Sequence, residues 1–182
     1  MTDQSTELHE RVTAGRLLAT AAAQISTHLD TFCSWLLIGV GGAYTLVLAN
    51  LDSLQQLVSP RSLQKSLLLL LIAIVIGVFQ RWLAAIVAAN AATQEKAEEI
   101  VKDLAVRDIE VDFKVVFREM ERGTYYPAKW MLRRSFNKAM SGDFAASGRI
   151  TAAISQIQSV LAFILVGFVV AAIAVTVCGV KV

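Results

Sequence analysis

The hydrophobic and polar positions of this chain fall into three apolar blocks separated by charged stretches. The middle block is the most uniform. It reads Ser66-Leu-Leu-Leu-Leu-Leu-Ile-Ala-Ile-Val-Ile-Gly-Val-Phe-Gln80, with Lys65 before it, Arg81-Trp82 after it and no charge between. A soluble helix keeps one apolar stripe, whereas this segment is apolar all round. Such a segment crosses lipid as a helix, because the backbone must bond to itself where there is no water. The pattern predicts a span from Leu63 to Trp82. Ser59-Pro60 starts it, with serine as the cap and proline at the first helical position, where its missing donor costs nothing.

The first block, Thr31 to Leu51, carries no charge between Asp30 and Asp52. Its length of about 20 residues matches a hydrocarbon core of roughly 30 Å. After Arg149 no charge appears until Lys181, so a third span is predicted from Ile154 to Val177. The spans carry small residues at four-residue spacing: Gly39 with Ala43, Gly41 with Thr45, Ala73 with Gly77, and Gly167 with Ala171. These let another backbone come close, which is how helices associate in lipid.

The polar stretches read as helices too. Over residues 4–30, Leu8, Val12, Gly15, Leu18, Ala22, Ile25 and Leu29 share one face, which points to close packing on a later helix or to a membrane surface. From Thr93 to Arg122 a charged helix follows, with Ile100, Leu104, Val111, Val115, Phe117 and Met120 as its apolar side. Its i,i+4 charge pairs, such as Asp103/Arg107 and Glu110/Lys114, mark a solvated face. Gly123-Thr-Tyr-Tyr-Pro127 breaks this helix. Ala128 to Met140 is short, basic and amphipathic. It fits either a helix lying on an anionic membrane through Lys129, Arg133, Arg134 and Trp130, or a helix packed on the 93–122 arm. Ser141 to Gly148 reads as a flexible hinge. The organisation expected is an N-terminal amphipathic helix (1–30), a two-span hairpin (31–92), a charged helical region (93–150) and a third span (151–182).

Composition sharpens this picture in few places. The chain is 55% hydrophobic with a mean hydropathy of +0.57, against about 45–50% apolar for a soluble domain. The 17 basic residues face 15 acidic ones, which argues against a nucleic-acid partner. Cys33 and Cys178 read as small apolar residues rather than a disulfide, because the spans put them near opposite membrane faces. The first 30 residues lack a basic run followed by an apolar core, so no cleavable leader is expected. Eleven Lys and Arg lie in the 83–153 connector, against two in 52–65 and one beyond the third span. The basic side is cytoplasmic. That places the N-terminus inside and the C-terminus outside, and the alanine- and leucine-rich style points to a bacterial inner membrane.

Candidate chemistry is sparse. His9 and His28 have no ligand set around them, so no metal and no cofactor is expected. No phosphate loop, dinucleotide fingerprint or nucleophile elbow is present. Arg81 stands out as an ionisable group at a span edge, a candidate for lining a pore or contacting lipid beside the interfacial Trp82. The order of an amphipathic helix, a two-span hairpin and a long charged helix over residues 5–120 resembles the SLATT class of bacterial effector modules. That resemblance, one of layout, implies pore formation in defence systems, and the third span departs from it. The reading is an all-α, non-enzymatic integral membrane protein. It is expected to contact lipids, to form homo-oligomers and to present 93–150, a cytoplasmic helical hairpin, to a protein partner. The alternative is an oligomeric pore gated by its cytoplasmic helices, including coiled-coil-like contacts between them.

Overall fold

The computed structural model describes residues 2–50, 58–107, 112–126, 128–141, 143 and 145–180. Asp52, Glu110, Val111 and Lys181, used in the sequence reading, lie outside the described residues. The chain is all-α, and the described residues form five helices: α1 Thr2–Ala49, α2 Pro60–Val106, α3 Phe113–Gly123, α4 Ala128–Met140 and α5 Ala146–Cys178. Three stretches within them are long and apolar enough to cross a membrane: Glu10–Ala49, Pro60–Ala97 and Ala146–Cys178. The protein is therefore a three-span integral membrane protein.

Three boundaries differ from the sequence expectation. The amphipathic helix and the first span are one helix, α1. Nothing near Asp30 breaks it, and the Thr31 hydroxyl donates to the Thr27 carbonyl at 2.9 Å, a bond that stays on the helix. The 93–122 arm is two helices rather than one. The stretch from Thr93 to Val106 continues α2, and α3 starts after Asp112, whose carbonyl accepts the N–H groups of Val115 and Val116. Finally, the 141–148 stretch is not wholly a hinge. Helix α5 begins at Ala146, and Ala145, Ala146 and Gly148 are buried. As expected, α2 starts at Pro60, with the Ser59 carbonyl accepting the N–H of Ser62 and of Leu63.

The chain divides into two compact units, residues 24–86 with 155–182, and residues 1–23 with 87–154. The first is the membrane bundle. Its core is Cys33, Ala73, Ala162, Leu165 and Val169, with Leu29, Leu36, Leu37, Val40, Ile76 and Phe168 packed around it. Its inward positions follow a spacing of three and four. On α1 they are Ser26, Leu29, Cys33, Leu37, Val40 and Tyr44; on α2, Ser66, Leu70, Ala73, Gly77 and Gln80; on α5, Ser155, Gln158, Ala162, Leu165, Val169, Ala172 and Thr176. This is the 3.5-residue repeat that keeps one seam of a helix facing its partners. The seam is small and partly polar, while Phe32, Trp35, Ile38, Leu71, Phe79 and Phe163 face out. In lipid nothing drives large apolar side chains inward, so close approach decides what lies inside.

In the second unit the small residues of α1 are again inside. Gly15, Ala19 and Ala22 are buried, whereas Leu18 and Ile25, placed on the inner face by the sequence reading, are half exposed. Ile25 itself falls in the membrane bundle, where Ser26 takes the inner position. Gly15 meets the start of α5: a Cβ added to it would lie 2.9 Å from the Ala145 Cα, and one added to Gly148 would lie 2.9 Å from the Gly15 Cα. Gln94 donates from its amide to the Ser147 hydroxyl.

Helices α3 and α4 pair through Phe117 and Phe136, whose rings stack with centroids 3.9 Å apart. Lys129 Nζ lies 3.8 Å from Glu121 Oε1 across the turn. The exposed pairs Lys96–Glu99 and Asp103–Arg107 support the end of α2, each by only a few tenths of a kcal/mol.

Candidate functional site: polar layers in the membrane bundle

Two polar layers interrupt the apolar interior of the membrane unit. The first joins all three spans near the Ala49 end of α1. The Tyr44 hydroxyl contacts the Ser66 hydroxyl and lies 2.9 Å from Thr176 Oγ1. Ser66 donates to the Ala172 carbonyl at 2.7 Å, and Thr176 Oγ1 lies 2.8 Å from Ser66 Oγ. Beyond this cluster the Ser59 N–H donates to the Gly179 carbonyl at 2.9 Å, and Val58 bridges Val180. Every hydroxyl of this layer is bonded, so it acts as a tie between helices.

The second layer is built differently. Gln80 on α2 donates from Nε2 to the Leu29 carbonyl at 3.3 Å, and Gln158 on α5 donates to the Ser26 carbonyl at 3.2 Å. Both acceptors are on α1, three residues apart, and so on one face. Cys33 lies one turn further on, with its thiol beside the Gln80 amide. Gln80 and Gln158 are 1% and 0% exposed. Yet Gln80 Oε1, Gln158 Oε1 and Ser26 Oγ have no hydrogen-bond partner. A buried polar group left so costs about 1–3 kcal/mol. The two glutamines are held against α1 at an energetic cost, in a medium that would accept leucine there.

The groups of both layers are amides, hydroxyls, a phenol and a thiol. Their chemistry is hydrogen bonding that fixes which residues face which. Among the described residues no three of His, Cys, Asp and Glu come together as metal ligands. Cys33 is a buried free thiol and Cys178 an exposed one at the end of α5.

The residues singled out in the sequence are distributed as follows. Ala73 and Gly77 lie on the seam, where Ala73 is fully buried and Gly77 faces Leu37 and Leu165. Gly39, Gly41 and Gly167 have no atom within 4 Å of where a Cβ would stand. Gly39 and Ala43 are exposed, and Ala171 is half buried. Arg81 and Trp82 are exposed on α2, turned away from Gln80. Lys129, Arg133 and Arg134 are exposed on α4, in the other unit, with the Arg134 guanidinium 5.3 Å from the Trp130 ring centroid. Gln158 and Ser26 were not singled out in the sequence. The signal was the run Thr151, Ser155, Gln158, Ala162 at spacings of four, three and four, which places polar groups on the inner seam rather than at a helix start.

No known protein family, no curated protein and no solved structure matches this chain. The layout shared with SLATT modules therefore carries no family assignment. What fold and geometry define is the class: an all-α integral membrane protein with three spans.

Proposed function

We propose that this is a non-enzymatic membrane protein that works by helix-mediated self-association, presenting the 93–150 helices to a protein partner at the cytoplasmic membrane face. One observation carries the self-association. On the outer surface of α1, Gly39, Gly41 and Gly42 leave open space around their Cα atoms, flanked by exposed Trp35, Ile38 and Leu46. The glycine on α2 with neighbours inside the fold, Gly77, is already used there. A notch of glycines between large side chains admits a second helix at close range. A second copy is the occupant that matches it, since two α1 helices related by a two-fold axis along the membrane normal meet through the same notch. The distribution of Lys and Arg supports a cytoplasmic placement of 93–150.

The test is disulfide trapping in membranes. With Cys33→Ala and Cys178→Ala as background, Gly42→Cys is expected to give a cross-linked dimer on mild oxidation. Adding Gly39→Leu should reduce the dimer roughly tenfold, the effect of a loss of about 1.4 kcal/mol. Monomer at every oxidant level would sink the reading. The pore alternative predicts something else. Induced expression would depolarise cells, as read by a voltage-sensitive dye, and Arg81→Ala would abolish it. Under the self-association reading the potential stays at its uninduced value.

A further inference from the structure

The α3–α4 turn carries a surface that the fold itself does not use. From Arg122 to Ser141 the chain has the bases Arg122, Lys129, Arg133, Arg134 and Lys138 and no acid. At the turn, Tyr125 and Tyr126 are 90% and 81% exposed, and Trp130, in the first turn of α4, is half exposed. The hairpin is held together elsewhere, by Phe117 on Phe136 and by Lys129 to Glu121. On α4 the half-buried Leu132 and Phe136 form one side, while Trp130, Arg134 and Lys138 lie on the other. Arg134 sits over the Trp130 ring. The hairpin thus spends its phenylalanines inside and leaves tyrosine, tryptophan and cations outside.

We propose that the Tyr125–Tyr126 tip and the Trp130 face of α4 dock on the anionic headgroup surface of a lipid bilayer. The residue types select this occupant. Tyrosine and tryptophan prefer headgroup depth, where the ring is shielded and its polar end is wet. Arg133, Arg134 and Lys138, on a segment without acids, add attraction to anionic lipids, and this is lost beyond a Debye length. The exposed Arg133 and Lys138 flank the aromatic face, so the ring plane and the charges approach one surface together. An anionic bilayer complements both at once. The proposal rests on the chain being an integral membrane protein and is independent of the α1 interface.

The experiment uses the full chain in proteoliposomes. The chain has three tryptophans, so Trp35→Phe with Trp82→Phe leaves Trp130 as the sole emitter. Quenching by brominated lipid is compared in vesicles of phosphatidylcholine alone and of phosphatidylcholine with phosphatidylglycerol. Trp130 should be quenched in the anionic vesicles and much less in the neutral ones, with the difference shrinking in high salt. Arg133→Gln, Arg134→Gln and Lys138→Gln together should lower the docked-to-undocked ratio roughly a hundredfold. Tyr125→Ser with Tyr126→Ser, in the turn and outside the Phe117–Phe136 contact, should lower it as well. No quenching in anionic vesicles, or equal quenching in both lipids, overturns the proposal. So does protection of Trp130 by added RNA in place of anionic lipid. Disulfide trapping at Gly42→Cys, run on the same variants, reports separately on self-association.

Discussion

Gly148→Val is expected to open the contact between α1 and the start of α5, and to do so more severely than any other single glycine change in the described structure. The reason is that backbone meets backbone. A Cβ at Gly148 would lie 2.9 Å from the Gly15 Cα and closer still to the Gly15 carbonyl. Neither neighbour can rotate aside as a side chain would. At Gly77 the obstacle is the end of the Leu37 side chain, which can change rotamer, and at Gly167 there is no obstacle. Overpacking of this kind costs about 1–3 kcal/mol and occasionally more. The gain in helix propensity on replacing glycine offsets only a few tenths of that for a β-branched residue. Arg11 and Arg16 lie on the α1 segment that this contact holds. Trypsin cleavage there is expected to accelerate by at least roughly tenfold in Gly148→Val, tenfold being about 1.4 kcal/mol of local opening. Gly167→Val, which meets open space, should cleave at the wild-type rate. Equal rates for all three proteins would show that the Gly15–Gly148 contact does not hold α1.

Much of this fold was legible from residue types alone. Spans were readable because an uncharged run such as Ser66–Gln80 has one physical explanation, and the start of α2 was readable because Ser59-Pro60 is good helix-start chemistry. The inner face was readable only in part. The face read over residues 4–30 holds Gly15, Ala22 and Leu29, which do lie inward, together with Leu18 and Ile25, which do not. Both are half exposed, and Gly15, Ala19, Ala22 and Ser26 are inside. In the membrane bundle hydrophobic periodicity misleads because lipid, not water, surrounds the helices, so Ser26 rather than Ile25 lies inside. Read instead for small and polar residues at three and four, α1 gives Gly15, Ala19, Ala22, Ser26, Leu29 and Cys33, and α5 gives Ser155, Gln158, Ala162 and Leu165. The polar residues early in the third block, Ser155, Gln156, Gln158 and Ser159, fit either a helix start in water or contact with other helices, and the register of Gln158 makes it an inward group in contact with α1. The break between α2 and α3 had no proline or glycine to announce it.

Gln158→Leu is expected to make the protein more stable, and Gln158→Ala less stable. The amide now gives the Ser26 carbonyl a second bond at 3.2 Å and leaves its own oxygen without a partner in a buried position. Interhelical hydrogen bonds in membranes are worth about 0.6 kcal/mol on average, while the orphaned acceptor costs about 1–3 kcal/mol. Leucine removes both and nearly keeps the volume, for a net gain of about 1–2 kcal/mol. Alanine removes both and leaves a void, which costs about 2 kcal/mol or more. Unfolding midpoints in detergent should therefore run Leu, wild type, Ala, and Gln80→Leu should behave as Gln158→Leu does. A Leu variant less stable than wild type would mean that the glutamine oxygens are hydrated in the bilayer and that this layer is wet. If the order holds, the glutamines serve something other than stability. Amides aimed at two carbonyls of α1 allow one vertical register of α2 and α5 against it, as buried polar groups fix register in other helical assemblies. Leu37 and Gly77 face each other in that register. With Cys33→Ala and Cys178→Ala as background, Leu37→Cys with Gly77→Cys is expected to cross-link readily in the wild-type layer. Cross-linking should be slower once Gln80→Leu and Gln158→Leu are added, because the seam that remains is apolar and can slide by a turn.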